Sequence, residues 1–366
     1  MEGAEADGDE HSAPHGPRST VGSMGTSRRR PIWWDGASVG VIDQRRLPAA
    51  DVTVRWSTLD DAVHGIADMA VRGAPLIGVA AAHAFALALA TDPSDDSLEA
   101  AAGVLVTTRP TAVNLRWAVE RVRDAARGWP VDERAQRARC LATAIADEDA
   151  AACRAIGESG LPLLRELYER SGRPVQVMTH CNAGWLACVE WGTATAPVYL
   201  AHAEGLPVHV WVSETRPRNQ GASLTAWELA GAGVPHTLVV DNAAGHLMAT
   251  GRVDVVMVGA DRVAANGDVA NKIGTSLKAY AAAANDVPFH VAIPWSTLDA
   301  ACPDGAHIPI EERDAREVLE LAGRPIAPAA TPARNWGFDV TPAALVTSFV
   351  TPDGLVAPGD LVRWRP

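Results

Sequence analysis

VDVVMVGADRVAANGDVANKIGTSLKAY, residues 253–280, changes character three times in a short span. Residues 253–258 form a short valine-rich run, the pattern of a parallel strand buried on both faces. Gly259, Ala260, Asp261 and Arg262 follow at its carboxyl end, where open α/β sheets bind their ligands. Residues 266–268 make a turn. Asn271, Lys272 and Gly274 then read as the opening of a helix, so that backbone N–H groups and an ammonium face an anion together. A phosphate suits such a place. For an isolated pair, Asp261 as a surface cap and Lys272 as a solvated lysine is the favoured reading. Similar loops elsewhere in the chain weigh toward a site.

Outward from this stretch, the same rhythm runs from Pro174 onward. Apolar runs at 175–178, 208–212, 237–240, 253–258 and 289–293 alternate with helical patterns, as in a doubly wound parallel sheet, and 346–350 reads as a late strand. Polar and reactive residues collect after these runs: Thr179-His180-Cys181-Asn182-Ala183-Gly184, then 214–221 with Gln220, then Asp241-Asn242. The opposite connections, 204–207 and 231–235, are short and bland. Residues 310–322 read as a helix, and Asp339 or Thr341 as the cap of a short helix begun by Pro342.

The first half has a different grammar. Residues 1–30 hold almost no large apolar side chain and read as a disordered tail. Runs at 38–42 and 52–56 predict a small antiparallel element, and Ser57 with Asp60 a helix cap. That helix stops at Arg72-Gly73-Ala74-Pro75, where the proline suits the start of an alanine-rich helix to about Ala90. Freed N–H groups, a glycine and an arginine there could take a phosphate, although a plain helix-helix turn is the commoner case. Helices at 98–107 and 111–127 break at Arg109-Pro110, presenting a second arginine at a helix start. More helix follows at 132–157 and 161–169. The expected fold is α/β: a disordered tail (1–30), a mainly helical N-terminal domain (31–173) and a Rossmann-like doubly wound parallel-sheet domain (174–366).

The chain has 366 residues and a formal net charge of -12, so neither nucleic acid nor an anionic membrane is an expected partner. No apolar run is expected to approach the roughly 20 residues that span a bilayer. Five scattered cysteines without a C-x-x-C pair argue against a disulfide framework and a structural zinc site, and for a reducing, cytoplasmic setting. A site from His180, Cys181 and Cys302 lacks ligand spacing, so no metal is expected. No dinucleotide or Walker fingerprint occurs, and no cofactor is expected.

Cys181 lies at a strand-to-helix turn, where a helix N-terminus lowers a thiol pKa; Cys188 reads as buried and inert. Burial at a strand end raises the pKa of Asp261, while Arg262 folding back would lower it. An acid, a thiol, the Gln220 amide and phosphate contacts at Arg72, Arg109, Asn271 and Lys272 suit rearrangement of a phosphorylated small molecule.

RGAPLIG (72–78), RPTAVNL (109–115), THCNAG (179–184), ETRPRNQGASLTAWEL (214–229), GADRVAANGDVANKIGT (259–275), IPIEER (308–313) and FDVTP (338–342) together resemble the methylthioribose-1-phosphate isomerase family. That family is related to the regulatory subunits of the translation initiation factor 2B exchange factor. The resemblance, over about 34–355, implies a homodimer active in methionine salvage on a sugar phosphate. It implies Cys181 and Asp261 as the catalytic pair and Arg72, Gly73, Ala74, Arg109, Gln220, Asn271 and Lys272 as substrate-binding residues. Asn335-Trp336-Gly337-Phe338 and Trp295 depart from the family pattern, and either could reshape the pocket around the sugar's 5-substituent. An isomerase for another 5-substituted ribose 1-phosphate or for ribose-1,5-bisphosphate, and a non-catalytic exchange-factor-like subunit, are the competing readings.

Overall fold

The structure, a computed structural model, describes residues 29–109 and 112–363. The expected tail lies outside these residues up to position 28. Arg29 and Arg30 were assigned to it but are fixed: Arg29 pairs with Asp51, and Arg30 with Glu190 and Asp147 at 2.8 and 2.7 Å. Three ion pairs oppose the entropy of a free tail.

Strands β1 (Ile32–Asp35), β2 (Ser38–Ile42) and β3 (Thr53–Trp56) form an antiparallel sheet, with β1 unforeseen in the sequence. Helices α1 (Leu59–Ala67), α2 (Ala74–Thr91), α3 (Asp95–Thr108), α4 (Val113–Arg127) and α5 (Arg134–Ser171) follow. The cap of α1 is Thr58 with Asp61, one residue beyond the expected pair: each side chain accepts the other's backbone N–H. Helix α2 corrects the reading that no apolar run approaches membrane-spanning length. Its 18 residues are apolar enough, and 89% of it is buried. Its side chains join those of α1, α3, α4 and α5 in one core that also takes in the β-sheet.

The stretch expected as two helices with a break near 157–161 is one 38-residue helix, α5. Its glycines permit close approach instead of ending it. A Cβ on Gly157 would stand 2.8 Å from Leu200 Cδ1, and one on Gly160 2.6 Å from Pro197 Cγ. Both neighbours belong to the packing of α6 (Ala196–Ala203) on α5.

The larger sheet contains β4 (Val175–Thr179), β5 (Val208–Ser213), β6 (His236–Val239), β7 (Val255–Val258), β10 (Phe289–Ala292), β15 (Ser348–Thr351) and β16 (Gly354–Val356). Its order is β16-β15-β10-β7-β4-β5-β6, parallel throughout except for β16. Counted along the chain, the six parallel strands run 3-2-1-4-5-6, so the order reverses between β4 and β7, where doubly wound folds open their binding crevice. Side chains alternate between two buried layers. Val255 and Met257 face one with α5 and α6; Val256 and Val258 face the other with α8 (Ala243–Ala249) and α9 (Thr275–Ala283). Helix α7 (Ala226–Gly231) flanks the first layer.

Past β7 the expected polar loop and helix start are instead a hairpin, β8 (Arg262–Ala264) with β9 (Val269–Lys272). It is extended by β11 (Leu298–Asp299) and β14 (Phe338–Thr341) into a four-stranded sheet. Asn271 and Lys272 therefore end a strand, and α9 begins only at Thr275. Asp339 caps α9, accepting from Gly274 and Ser276 N–H, and not the turn after Pro342, whose Ala343 N–H goes to Asp268. Of the expected 310–322 helix only α10 (Arg316–Leu319) forms, followed by the ribbon β12 (Glu320–Leu321) and β13 (Arg324–Pro325). The backbone before it is already paired, Arg313 N–H to Asn335 O and Gly337 N–H to Glu311 O.

Candidate active site

The carboxyl ends of β4 and β7 face the amino end of α2 across a cleft with about 730 Å³ of non-atom space, counting its open mouth. Arg72, Gly73, Ala74, Arg109, Cys181, Gln220, Asp261, Asn271 and Lys272 all line it, so every candidate residue from the sequence converges on one place.

Gly73 stands before α2 with φ 98°, and a Cβ there would fall 2.5 Å from the Ala187 Cα. Only glycine fits both demands. The α2 amides therefore open on the cleft with the positive end of a five-turn helix behind them. Arg72 donates through both terminal nitrogens to Asn182, to its side-chain oxygen and, at 2.8 Å, to its carbonyl. Arg109 follows α3, not the start of α4; Pro110 and Thr111 lie outside the described residues. Its guanidinium, mostly buried, stands 3.8 Å from Glu311. Lys272 donates to Gly337 O at 2.8 Å and lies 4.3 Å from the centre of the Phe338 ring. The Gln220 side-chain oxygen is buried without a partner, ready for a donor such as a sugar hydroxyl.

Cys181 is not at a helix start, and its thiol is not lowered. Burial pushes it above its ordinary value, against the opposing charges of Arg72 and Lys272. Its backbone is left-handed, φ 62°, held by Cys181 N–H to Thr215 Oγ1 at 2.8 Å and by Thr225 Oγ1 to Cys181 O at 2.7 Å. Asp261 is also raised by burial, in the direction its strand-end position suggests; Lys272, Arg72 and Arg109 oppose the shift. Arg262 lies 3.4 Å from Asp299. These three are also the candidate phosphate cations. Burial lowers Lys272 in turn, while Cys181 and Asp261 act to raise it.

The expected effects of Trp295 and Trp336 on the pocket are not seen. Trp295 Nε1 donates to Asp353, and Trp336 is 48% exposed; neither lines the cleft. The apolar wall comes from Met69, Ile77, Pro294 and Phe338.

Two supports were not singled out from the sequence. Glu228, on α7 and 2% exposed, accepts from Asn182 Nδ2, Trp185 N–H and Leu186 N–H, each at 2.9 Å, and from Tyr199 OH at 3.0 Å. Its signal was a lone acid in the apolar run TAWEL. Asp241, noted only as a polar strand end, accepts from Ser213 Oγ and from the Thr215 and Arg216 N–H groups, fixing the loop that holds Cys181. Lys278 Nζ, 1% exposed, lies 4.0 Å from Asp241 and is lowered by burial to about 8.

A sequence model of the Initiation factor 2 subunit family matches residues 70–358. The chain is 56% identical over 342 residues to the methylthioribose-1-phosphate isomerase of Rhodospirillum centenum, covering 90% of this chain and 91% of that one. It is 54% identical over 349 residues to the enzyme of that name from Brucella anthropi, with 92% and 96% covered. The crystal structure of 5-methylthioribose 1-phosphate isomerase from Pyrococcus horikoshii superposes with a TM-score of 0.83 at 38% identity, covering 94% of this chain and 98% of that one. A translation initiation factor eIF-2B subunit delta structure from A. fulgidus gives 0.79 at 37% identity, with 92% and 98% covered. With its α/β fold and a cleft at the sheet's reversal point, the chain belongs to the initiation factor 2 subunit family and, within it, to the methylthioribose-1-phosphate isomerase group.

Proposed function

We propose that the protein is an aldose-ketose isomerase converting 5-methylthioribose 1-phosphate to 5-methylthioribulose 1-phosphate in methionine salvage, with Cys181 and Asp261 as its catalytic pair. One observation carries the assignment of residues: an acid and a thiol, both shifted toward their neutral forms, meet three cations and a helix N-terminus in a single cleft. The α2 amides, Arg72, Arg109 and Lys272 take the phosphate, with Asn271 beside them. Gln220 accepts a sugar hydroxyl. The wall of Met69, Ile77, Pro294 and Phe338 favours an apolar 5-substituent over a second phosphate.

The phosphate on the anomeric oxygen prevents simple opening to an aldehyde. Asp261, whose burial favours its protonated form, gives its proton to the ring oxygen as the bond from that oxygen to carbon 1 breaks. Hydrogen then moves with its electron pair from carbon 2 to carbon 1. The carbon 2 hydroxyl loses its proton to Cys181 in its thiolate form, which the charges of Arg72 and Lys272 favour against burial, as the ketone forms, so one proton enters and one leaves. That thiolate is a poor base for a carbon-bound hydrogen but adequate for a hydroxyl made acidic by the developing cation. This favours hydride movement over an enediol. No group outside the chain is needed for these steps, and no cofactor or metal is proposed for catalysis.

The same reading makes the protein a cytoplasmic homodimer, without nucleic-acid or membrane partners. Supporting the dimer, β6 is an edge strand whose end exposes Leu238 and Val240, at 48% and 60%. The acidic net charge supports the absence of nucleic-acid and anionic-membrane partners, and the free cysteines support a reducing cytoplasmic setting. Asp261→Asn and Cys181→Ser should each lower kcat about 10²-fold or more, with smaller changes in KM. Substrate labelled with deuterium at carbon 2 should deliver the label to carbon 1. Folded Asp261→Asn with near-normal kcat refutes the acid, and loss of label to water refutes the hydride route.

A further inference from the structure

Beneath the cleft, α5 meets residues 185–189, and the contact holds more than apolar packing. Cys153 and Cys188 are fully buried and pack with Ala187 and Trp191 in a small cluster of their own. Asp149 stands one helical turn before Cys153, on the same face of α5. Its Oδ2 accepts the Val189 N–H at 2.8 Å, which ties it to the Cys188 segment. A carboxylate oxygen and two sulfurs thus lie within 4.8 Å of one another, and both cysteines are free of disulfide.

We propose that Asp149, Cys153 and Cys188 form a binding site for a thiophilic divalent cation of the zinc class, separate from the groups that carry the isomerisation. Donors around a tetrahedral zinc ion stand about 3.5–3.8 Å apart, given Zn–S of about 2.3 Å and Zn–O of about 2.0–2.2 Å. The observed spread closes to that with side-chain shifts of about 1 Å. Two thiolates select against magnesium and calcium, which take oxygen ligands. Binding releases one proton from each thiol to solvent. The resulting site carries one net negative charge, and Arg30, anchored by Glu190 and Asp147, supplies positive charge nearby. Cys188 also lines the substrate cleft, which gives the ion an entry path. Ala187, next to Cys188, is the residue packed against Gly73, so an ion here would fasten the floor of the cleft to α5.

The test uses full-length protein, reduced with a non-chelating phosphine, freed of metal and titrated with Co²⁺. The expected result is thiolate-to-cobalt charge-transfer absorption with tetrahedral visible bands, saturating at about one ion per chain and displaced by Zn²⁺. Cys153→Ser and Cys188→Ser should each lose most of the absorption, and Cys181→Ser should keep it. Asp149→Asn, which leaves both thiols in place, should weaken uptake by more than the roughly 10–100-fold that supporting residues alone carry. Zn²⁺ should raise the thermal midpoint of the parent but not of Cys188→Ser. Circular dichroism confirms that each variant is folded. Absence of the absorption in folded, reduced protein overturns the proposal. So does absorption that survives in the Cys153→Ser/Cys188→Ser double variant or vanishes in Cys181→Ser. Formation of a Cys153–Cys188 disulfide with peroxide, in protein that takes up no cobalt when reduced, overturns it as well.

Discussion

Replacing Glu228 with glutamine changes one atom type and little volume, yet its effect should reach the cleft. All four contacts to this carboxylate run toward it: Asn182 Nδ2 and Leu186 N–H to Oε1, Trp185 N–H and Tyr199 OH to Oε2. A glutamine keeps one oxygen and turns the other into a donor facing donors. Only the tyrosine hydroxyl can rotate to accept. In either amide orientation at least one backbone N–H or the Asn182 amide loses its partner in a buried place. Each such loss costs about 1–3 kcal/mol and the better orientation has one, so Glu228→Gln should destabilise by about 1–3 kcal/mol. The functional effect passes through Asn182, whose oxygens hold both ends of the Arg72 guanidinium. Loosening it should raise KM more than it lowers kcat, because in its proposed role Arg72 would hold the phosphate in ground and transition states alike. Urea unfolding and steady-state kinetics on the same preparation measure both quantities. A stability change under about 1 kcal/mol, or a fall in kcat at constant KM, would refute this account of Glu228.

Gly73→Ala should cost substrate binding outright, since both its φ of 98° and the Ala187 backbone forbid a Cβ; a KM within twofold of the parent refutes the close-approach argument. Lys278→Met tests the buried ammonium behind the Cys181 loop. Burial lowers this lysine to about 8 from an ordinary 10.5, so between those values the unfolded chain binds the extra proton and stability rises with pH, by at most about 1.4 kcal/mol per unit. Below pH 8 the ammonium costs stability that methionine does not. The variant's advantage in urea unfolding should therefore be largest near pH 7 and shrink toward pH 10, and an advantage that grows with pH refutes it. Because burial raises Asp261, kcat should fall on the alkaline side as this acid ionises, and Asp261→Asn should remove that limb.

Much of this was legible because parallel strands buried on both faces leave an unmistakable apolar run. The residue after such a run is fixed in space to within a turn. That is why Cys181 and Asp261 could be named, with Gln220 in the polar loop after another run, and why their convergence followed once the strands formed one sheet. What stayed hidden depended on pairing across distance. Residues 262–272 alternate in a way that fits a loop entering a helix as well as a hairpin, and only β14, some 65 residues on, supplies the partner that makes Lys272 a strand residue. The same distance hid Asp339 as the cap of α9. Gly157 and Gly160 read locally as breakers, whereas α6 uses them as contact points. The Cys181 thiol shows the limit for electrostatics: proximity to a helix start suggested a lowered pKa, and burial, which no local pattern reports, decided the sign.

The fold alone does not say whether this chain is an enzyme. A structure named as an initiation-factor subunit superposes nearly as well as one named as the isomerase, 0.79 against 0.83, at almost the same identity. The distinction lies at the reversal point of the sheet. There β4 and β7 are hydrogen-bonded neighbours whose following connections leave toward opposite flanks, so the crevice between them is open and Cys181 and Asp261 both reach it. Neither residue improves the core: Cys181 sits in a left-handed backbone, and Asp261 has its carboxyl raised by burial. Both are local costs that a purely structural subunit has no reason to keep. Thr215, Thr225 and Asp241 hold the first in place, and the cations of the cleft surround the second. Substituting the pair with Ala and Asn together should therefore leave the fold intact while abolishing turnover. A double variant that folds and still turns over at more than about 1% of the parental rate would move the protein from the catalytic reading to one in which these residues are only part of the scaffold.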